Sequence, residues 1–137
     1  MKRFFVTLTA FLLIAVFTAP MTVEASNAYT SDKADLLAAY IGGCEDARDL
    51  SSMTAVGAVI LNRCSAKGFP DTISANGASL GILPSLTPSP MAKYAARLAL
   101  AGLDPTSGAL TFFTTDEAPS HPNDYVTYSA SGLCFVK

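Results

Sequence analysis

The longest apolar stretch in the interior of the chain runs from Met53 to Leu61, and almost every position in it is apolar. On a helix with 3.6 residues per turn, such a run covers nearly all faces rather than one stripe. A helix of this kind is stable only when neighbours surround it. The pattern therefore predicts a central buried helix, with Ser51 or Ser52 as its N-terminal cap and Arg63 near its negative end.

Two further helices are predicted from apolar residues at helical spacing. The earlier one ends at Gly42-Gly43, and its inner face consists of Leu36, Leu37, Tyr40 and Ile41. The later one has Thr87 as its cap and Pro88 at its first helical position. Its predicted inner face consists of Met91, Tyr94, Ala95, Leu98 and Ala101.

The remaining segments are predicted to be loops and short strands. Residues 74–85 combine glycine, proline and short aliphatic side chains, which favours a surface loop. Three runs rich in Phe, Tyr, Val and Thr, at 109–114, 125–128 and 133–136, predict a small antiparallel sheet. The connection at 116–124, which includes His121, is expected to be mobile. The predicted fold class is α+β, mainly helical with a small sheet near the C-terminus.

The N-terminal end has the pattern of a secretory signal peptide. Lys2 and Arg3 precede an apolar run of 16 residues, and Pro20 follows it. This run is shorter than the roughly 20 residues that a membrane-spanning helix needs. We therefore expect cleavage after Ala25, a mature domain at residues 26–137 that is secreted or associated with the cell wall, and no stable membrane span after cleavage.

Charge and cysteine content narrow the classes of function. The chain has 9 basic and 11 acidic side chains and a net charge of −2, and its basic residues are scattered, so nucleic acid is not an expected partner. The three cysteines and the single histidine, His121, have no metal-ligand spacing. We predict no metal and no cofactor, and the sequence does not indicate an oligomeric state.

Glu45 comes just ahead of the predicted central helix, between the buried interior and solvent. A carboxyl group in such a position can stay protonated and act as a general acid. By position alone, a solvated loop glutamate is the favoured interpretation. Asp71 is predicted to be a cap or turn acid. Asn62 and Arg63 are expected either to order the loop that holds Glu45 or to face solvent.

An ordered series of motifs resembles the SleB/CwlJ-type cell wall hydrolases. It consists of Leu36-Leu37, Glu45, AVGAVILNR at 55–63, GFPDTI at 68–73 and LTPSPMAKYAARLALAGLDPTSGAL at 86–110. The resemblance covers almost all of the chain after the predicted signal peptide. It implies a lysozyme-like fold and cleavage of peptidoglycan glycan strands, in some members by lytic transglycosylation. It also implies degradation of spore cortex during germination, or turnover of the vegetative cell wall.

The resemblance implies that Glu45 is the catalytic acid and that peptidoglycan glycan strands are the binding partner. Glycosidases generally use two carboxylates, and only one is well placed here, which fits a lytic transglycosylase in which a hydroxyl of the sugar attacks the reactive carbon. The resemblance also places Cys134 near the site, in the position of a histidine of the family. It thereby implies a disulfide between Cys44 and Cys134.

The alternative function is a catalytically impaired domain that binds peptidoglycan or has a structural role in the wall. Where the family usually has Glu-Ala at the catalytic position, this chain has Glu45-Asp46. The segment after residue 73 lacks the glutamine and aromatic residues that line the cleft in the family, and the chain contains no tryptophan. Tyr40, Tyr94, Phe112 and Phe113 are the aromatic residues that can replace it in contacts with sugar.

Overall fold

The computed structural model describes residues 31–117 and 126–137, so the predicted signal peptide and His121 lie outside the described residues. The chain divides into two units, Met1–Lys33, described only at residues 31–33, and Ala34–Lys137. The described helices are α1 (residues 31–43), α2 (Leu50–Ser65), α3 (Ile73–Ser79) and α4 (Pro90–Leu100). The described strands are β1 (Thr111–Thr114), β2 (Val126–Ala130) and β3 (Leu133–Val136). The predicted fold class, α+β and mainly helical, is confirmed.

Helix α2 is the centre of the fold, as its sequence predicts. It contacts α3, α4 and β2, and its buried residues are Ser52, Thr54, Ala55, Val56, Gly57, Ala58, Val59, Ile60 and Arg63. The predicted cap is wrong, because Asp49 caps the helix and its carboxylate accepts a hydrogen bond from the Ser52 N–H at 2.7 Å. The Ser52 hydroxyl accepts in return from the Asp49 N–H at 3.2 Å. Asp49 and Ser52 therefore close a reciprocal capping box.

Helix α4 packs on α2 through small side chains. Its buried residues are Ala92, Ala95, Ala96 and Ala99. A Cβ added to Gly57 would lie 3.2 Å from the Ala99 Cβ, so the two helices leave no room for larger groups at this contact. Met91 and Tyr94 are 46% and 53% exposed, and their predicted inward orientation is wrong. The helix also begins two residues later than predicted, with Ser89 as its cap.

Two polar side chains at the C-terminal end of α2 bind the loop that follows α4. Asn62 Nδ2 donates to the Ala109 carbonyl at 3.1 Å, and Arg63 Nε donates to the Leu110 carbonyl. Arg63 is 9% exposed. Glu45 precedes the opposite end of α2, which is about 24 Å long at 1.5 Å per residue. Neither predicted role holds: the two side chains order the 104–110 loop instead.

Asp104 organises this loop with its carboxylate. It accepts hydrogen bonds from the Thr106 and Gly108 N–H groups, both at 2.8 Å, from the Thr106 hydroxyl at 2.6 Å, and from Asn62 Nδ2 at 3.0 Å. Burial acts to raise the pKa of this carboxyl, but the hydrogen bonds together hold the pKa below its ordinary value. The ionised form of Asp104 therefore stabilises the folded loop.

We expect Asp104→Ala to lower the free energy of unfolding at pH 7 by about 1–3 kcal/mol, because its donors lose a charged acceptor. The contribution of Asp104 is fully present above the pKa of an unfolded aspartate, about 4, and is lost as pH falls through the lower folded-state pKa. In urea unfolding, the difference in the free energy of unfolding between the wild type and the variant should therefore become smaller at acidic pH. The control is Asp116→Ala, at an exposed turn residue. A loss of unfolding free energy in Asp104→Ala that is equal at neutral and acidic pH would contradict the stabilising role of ionised Asp104.

The sheet has the order β1-β3-β2, and both pairings are antiparallel. Phe135 in β3 is fully buried and lies beside Phe112 and Tyr128, with ring centroids 5.5 and 5.9 Å away. These three rings share one face of the sheet, which packs on the helical core. Cys134 precedes Phe135 in β3, and Phe113 follows Phe112 in β1. These two residues are paired in register and lie on the other face of the sheet.

Candidate active site

Glu45 lies at the tip of a tight turn between α1 and α2. The Ala47 N–H donates to the Cys44 carbonyl at 3.2 Å, so Glu45 and Asp46 occupy the two central positions of a β-turn. Cys44 and Ala47, on either side, are buried. The buried flanks anchor the turn in the core, whereas Glu45 and Asp46 are exposed.

The turn borders a cavity of about 300 Å³. Its lining contains two acidic residues, Glu45 and Asp46, and an apolar segment at 80–83, which we call the apolar wall. The full lining is Gly43, Cys44, Glu45, Asp46, Leu80, Gly81, Ile82, Leu83 and Phe112. A cavity lined by both acidic and apolar residues suits a neutral ligand that has both hydroxyl groups and apolar faces.

The segment that supplies the apolar wall differs from its prediction as a continuous loop. Residues 73–79 form helix α3, capped by the Thr72 hydroxyl, which accepts from the Ala75 N–H at 3.3 Å. Asn76 is fully buried, and its Nδ2 donates to the carbonyls of Pro70 and Thr72. A polar side chain thus anchors α3, which is why apolar periodicity does not reveal this helix. Thr72, a cap residue ahead of Ile73, was the signal available in the sequence.

The backbone of the apolar wall is fixed against α1. The Ser85 N–H donates to the Ala39 carbonyl at 2.8 Å, and the Ile82 N–H donates to the Gly77 carbonyl at 3.1 Å. A Cβ added to Gly43 would collide with the Leu83 carbonyl oxygen. Glycine at position 43 therefore lets the end of α1 approach the wall closely, which brings Leu83 next to the turn that holds Glu45.

Cys44 contributes a neutral group to the cavity. Burial raises the pKa of its thiol, and the nearby carboxylates of Asp46 and Glu45 act in the same direction, against hydrogen bonds to backbone groups. A thiol with a raised pKa stays protonated at neutral pH and is a poor nucleophile. The candidates for acid chemistry in the cavity are therefore Glu45 and Asp46, not Cys44.

The predicted disulfide between Cys44 and Cys134 is wrong, because Cys44, Cys64 and Cys134 are all free thiols. Phe112 lines the cavity together with Cys44, and it lies on the same face of the sheet as Phe135. Cys134 precedes Phe135 in β3, so its side chain points to the opposite face. The sheet separates the two sulfur atoms.

Asp71 is exposed, lies in a bend ahead of the Thr72 cap, and is not among the cavity residues. This position agrees with a turn acid and gives no support to a second catalytic carboxylate. Within residues 31–117 and 126–137, no three His, Cys, Asp or Glu side chains lie close enough together to hold a metal ion. None of the helices in the same ranges is long and apolar enough to cross a membrane.

Asp49 connects the sheet to the start of α2. Its carboxylate accepts a hydrogen bond from the Ser131 hydroxyl, in the turn between β2 and β3, as well as from Ser52. The hydrogen bond from Ser131 contributes most to lowering the pKa of Asp49, and those from Ser52 act in the same direction. The start of α2, two residues after the turn that holds Glu45, is therefore joined to the β2–β3 hairpin.

A family profile described as cell wall hydrolase matches residues 48–136. The chain belongs to the cell wall hydrolase family. The matched range begins after the turn that contains Glu45 and Asp46, so it covers α2 to β3 and does not include the two carboxylates. Membership of the family confirms the resemblance that the sequence motifs suggested.

Individual relatives of the family agree with this assignment. A spore cortex-lytic enzyme of Bacillus cereus is 36% identical over 101 residues, which are 69% of this chain and 39% of the relative. The chain thus spans about two fifths of the length of the curated relatives it matches.

Two solved structures share the fold. The catalytic domain of the Bacillus cereus SleB protein superposes with a TM-score of 0.67 at 30% identity, over 78% of this chain and 91% of that domain. The catalytic domain of the germination-specific lytic transglycosylase SleB from Bacillus anthracis gives 0.64 at 30% identity, over 77% and 93%. The described fold is therefore that of the SleB catalytic domain.

Proposed function

We propose that this protein cleaves the glycan strands of peptidoglycan as a lytic transglycosylase, with Glu45 as the general acid. The observation that supports this most directly is the cavity whose lining combines Glu45 and Asp46 with the apolar wall. The cavity belongs to a fold shared with the catalytic domain of a lytic transglycosylase. Asp71 lies outside the cavity lining. The proposed mechanism therefore uses no second carboxylate from outside the cavity.

In the proposed reaction, protonated Glu45 transfers its proton to the glycosidic oxygen while the bond from that oxygen to the anomeric carbon breaks. A hydroxyl oxygen of the same sugar then bonds to the anomeric carbon, and the hydroxyl proton passes to the Glu45 carboxylate. The acid is thereby regenerated, and no water is consumed. Asp46 lines the same cavity. When the Asp46 carboxylate is ionised, it stabilises the positive charge that develops on the sugar.

Product analysis tests this function. The full chain is incubated with purified peptidoglycan, and the soluble fragments are separated and weighed by mass spectrometry. Fragments that end in an anhydro sugar are the expected result. Ordinary reducing ends would show that an activated water attacks instead, and retention on peptidoglycan without any fragments would favour a binding domain that has lost catalysis.

We also propose that the protein acts outside the cytoplasm, on cell wall or spore cortex peptidoglycan, after removal of residues 1–25. The basic and apolar pattern of these residues supports export. We expect N-terminal sequencing of the protein from the culture medium or wall fraction to begin at Ser26. An intact chain that starts at Met1 in the membrane fraction would contradict cleavage and indicate a retained anchor.

A further inference from the structure

We propose that Leu83 is a glycan-contacting residue that determines how tightly the cavity holds its substrate; the inference rests on the proposed function. Leu83 is 83% exposed, although it is apolar, and it lines the cavity together with Glu45 and Asp46. Burial of a leucine side chain stabilises a fold, but a leucine exposed to this extent contributes little of that stabilisation. Exposure alone does not point to a ligand, because single exposed leucines are common on protein surfaces; the place of Leu83 in the cavity lining does.

The backbone that presents Leu83 is held in place, although the side chain is free. Its neighbour Ile82 is buried and donates its N–H to the Gly77 carbonyl, and Ser85 is bonded to Ala39. Gly43 leaves room for the Leu83 carbonyl. An exposed side chain on a fixed backbone is preorganised for contact with a ligand, since binding requires little further ordering of the protein.

The chemistry of Leu83 fits the apolar parts of a sugar. A pyranose ring has C–H faces, and N-acetyl groups add methyl groups, and removal of these apolar groups from water against an apolar side chain is favourable. Binding sites often cover such faces with tryptophan, which this chain lacks. Phe112 is the aromatic residue of the cavity lining, and it is partly buried against the core. Leu83 is therefore the apolar group most available to a sugar bound next to Glu45.

Leu86 provides a matched control on the same segment. It is 98% exposed, three residues further along the chain, and is not among the residues that line the cavity. Truncation of either leucine to alanine removes the same atoms from an exposed position. A difference between the two variants therefore reports the location of Leu83 at the cavity rather than the loss of a surface leucine.

The experiment compares Leu83→Ala and Leu86→Ala in the full chain by two measurements. Fragment release from peptidoglycan gives KM and kcat, and co-sedimentation with insoluble peptidoglycan, in a Glu45→Gln background, gives binding without cleavage. We expect Leu83→Ala to raise KM about tenfold, the effect of a lost apolar contact in a pocket, with kcat little changed and weaker co-sedimentation. Leu86→Ala should change neither quantity, and Leu83→Phe should restore binding because a ring covers the same sugar face.

The outcomes separate the inference from the proposed function. If the wild type releases fragments but Leu83→Ala and Leu86→Ala behave alike, the inference is overturned and the proposed function stands. A fall in kcat at unchanged KM in Leu83→Ala also overturns it, since that result indicates a displaced active site. If the wild type sediments without cleavage and only Leu83→Ala weakens sedimentation, the contact is supported and the enzymatic proposal fails. A wild type that neither cleaves nor sediments overturns both.

Discussion

Glu45→Gln is expected to abolish the release of glycan fragments, with a loss in kcat of about 10²–10⁴, the contribution of a positioned general acid. Glutamine keeps the size of the side chain and its hydrogen-bonding atoms, but it cannot transfer a proton to the glycosidic oxygen. Glu45 is exposed at the tip of its turn, so the substitution should leave the core intact. Fragment release, urea unfolding and co-sedimentation with peptidoglycan, measured on the same preparation, check all three expectations.

Two further carboxylates serve as controls for Glu45. Asp46→Asn removes a charge from the same cavity lining and should cost less activity than Glu45→Gln, because Asp46 only adjusts the field around the reacting sugar. Asp71→Asn, outside the cavity lining, should leave substantial activity. If Asp46→Asn is the more damaging variant, the acid is Asp46 and the role of Glu45 is wrong. A severe loss in Asp71→Asn would instead point to a second carboxylate that approaches the sugar.

The parts of the fold that depend on large apolar side chains could be predicted from the sequence. The central helix α2 and strand β3 are found where their patterns place them. Helix α3 and most of the inner face of α4 were missed by the apolar pattern, because both are built largely from small residues. Gly77 packs against the ring of Tyr40, and alanine covers the buried face of α4. Hydrophobic periodicity is recognised mainly from large apolar side chains. Close packing of two helices requires small ones, which this pattern does not reveal.

The candidate site, too, could be predicted only in part from the sequence. The motif series drew attention to Glu45, whose catalytic role stays a prediction, and the structure adds the cavity that it borders. The apolar wall was missed, because its position depends on the approach of Leu83 to Gly43 and on two backbone hydrogen bonds. Backbone contacts between distant segments leave no periodic trace in a sequence. The implied disulfide failed for a related reason, since only the strand register reveals that Cys134 points away from Cys44.

Phe135→Ala is expected to lower the free energy of unfolding by about 3–5 kcal/mol, the usual cost of a large-to-small change in a core. Phe135 is fully buried, and its ring lies between those of Phe112 and Tyr128. Deletion of the ring leaves a cavity under both strands that flank β3. A loss of this size is a large share of the 5–15 kcal/mol typical of a domain, and urea unfolding with Phe135→Leu as a milder variant measures it.

The effect of Phe135→Ala should extend to the candidate active site, because Phe112 packs against Phe135 and also lines the cavity beside Glu45. Below the unfolding transition, the variant should therefore also bind peptidoglycan less tightly than the wild type. Phe113→Ala is the matched control: Phe113 follows Phe112 in β1, is paired in register with Cys134 on the opposite face, and is only half-buried. It should cost less stability and leave binding unchanged. Equal effects of the two variants on stability and binding would show that the sheet does not support the cavity through its buried face.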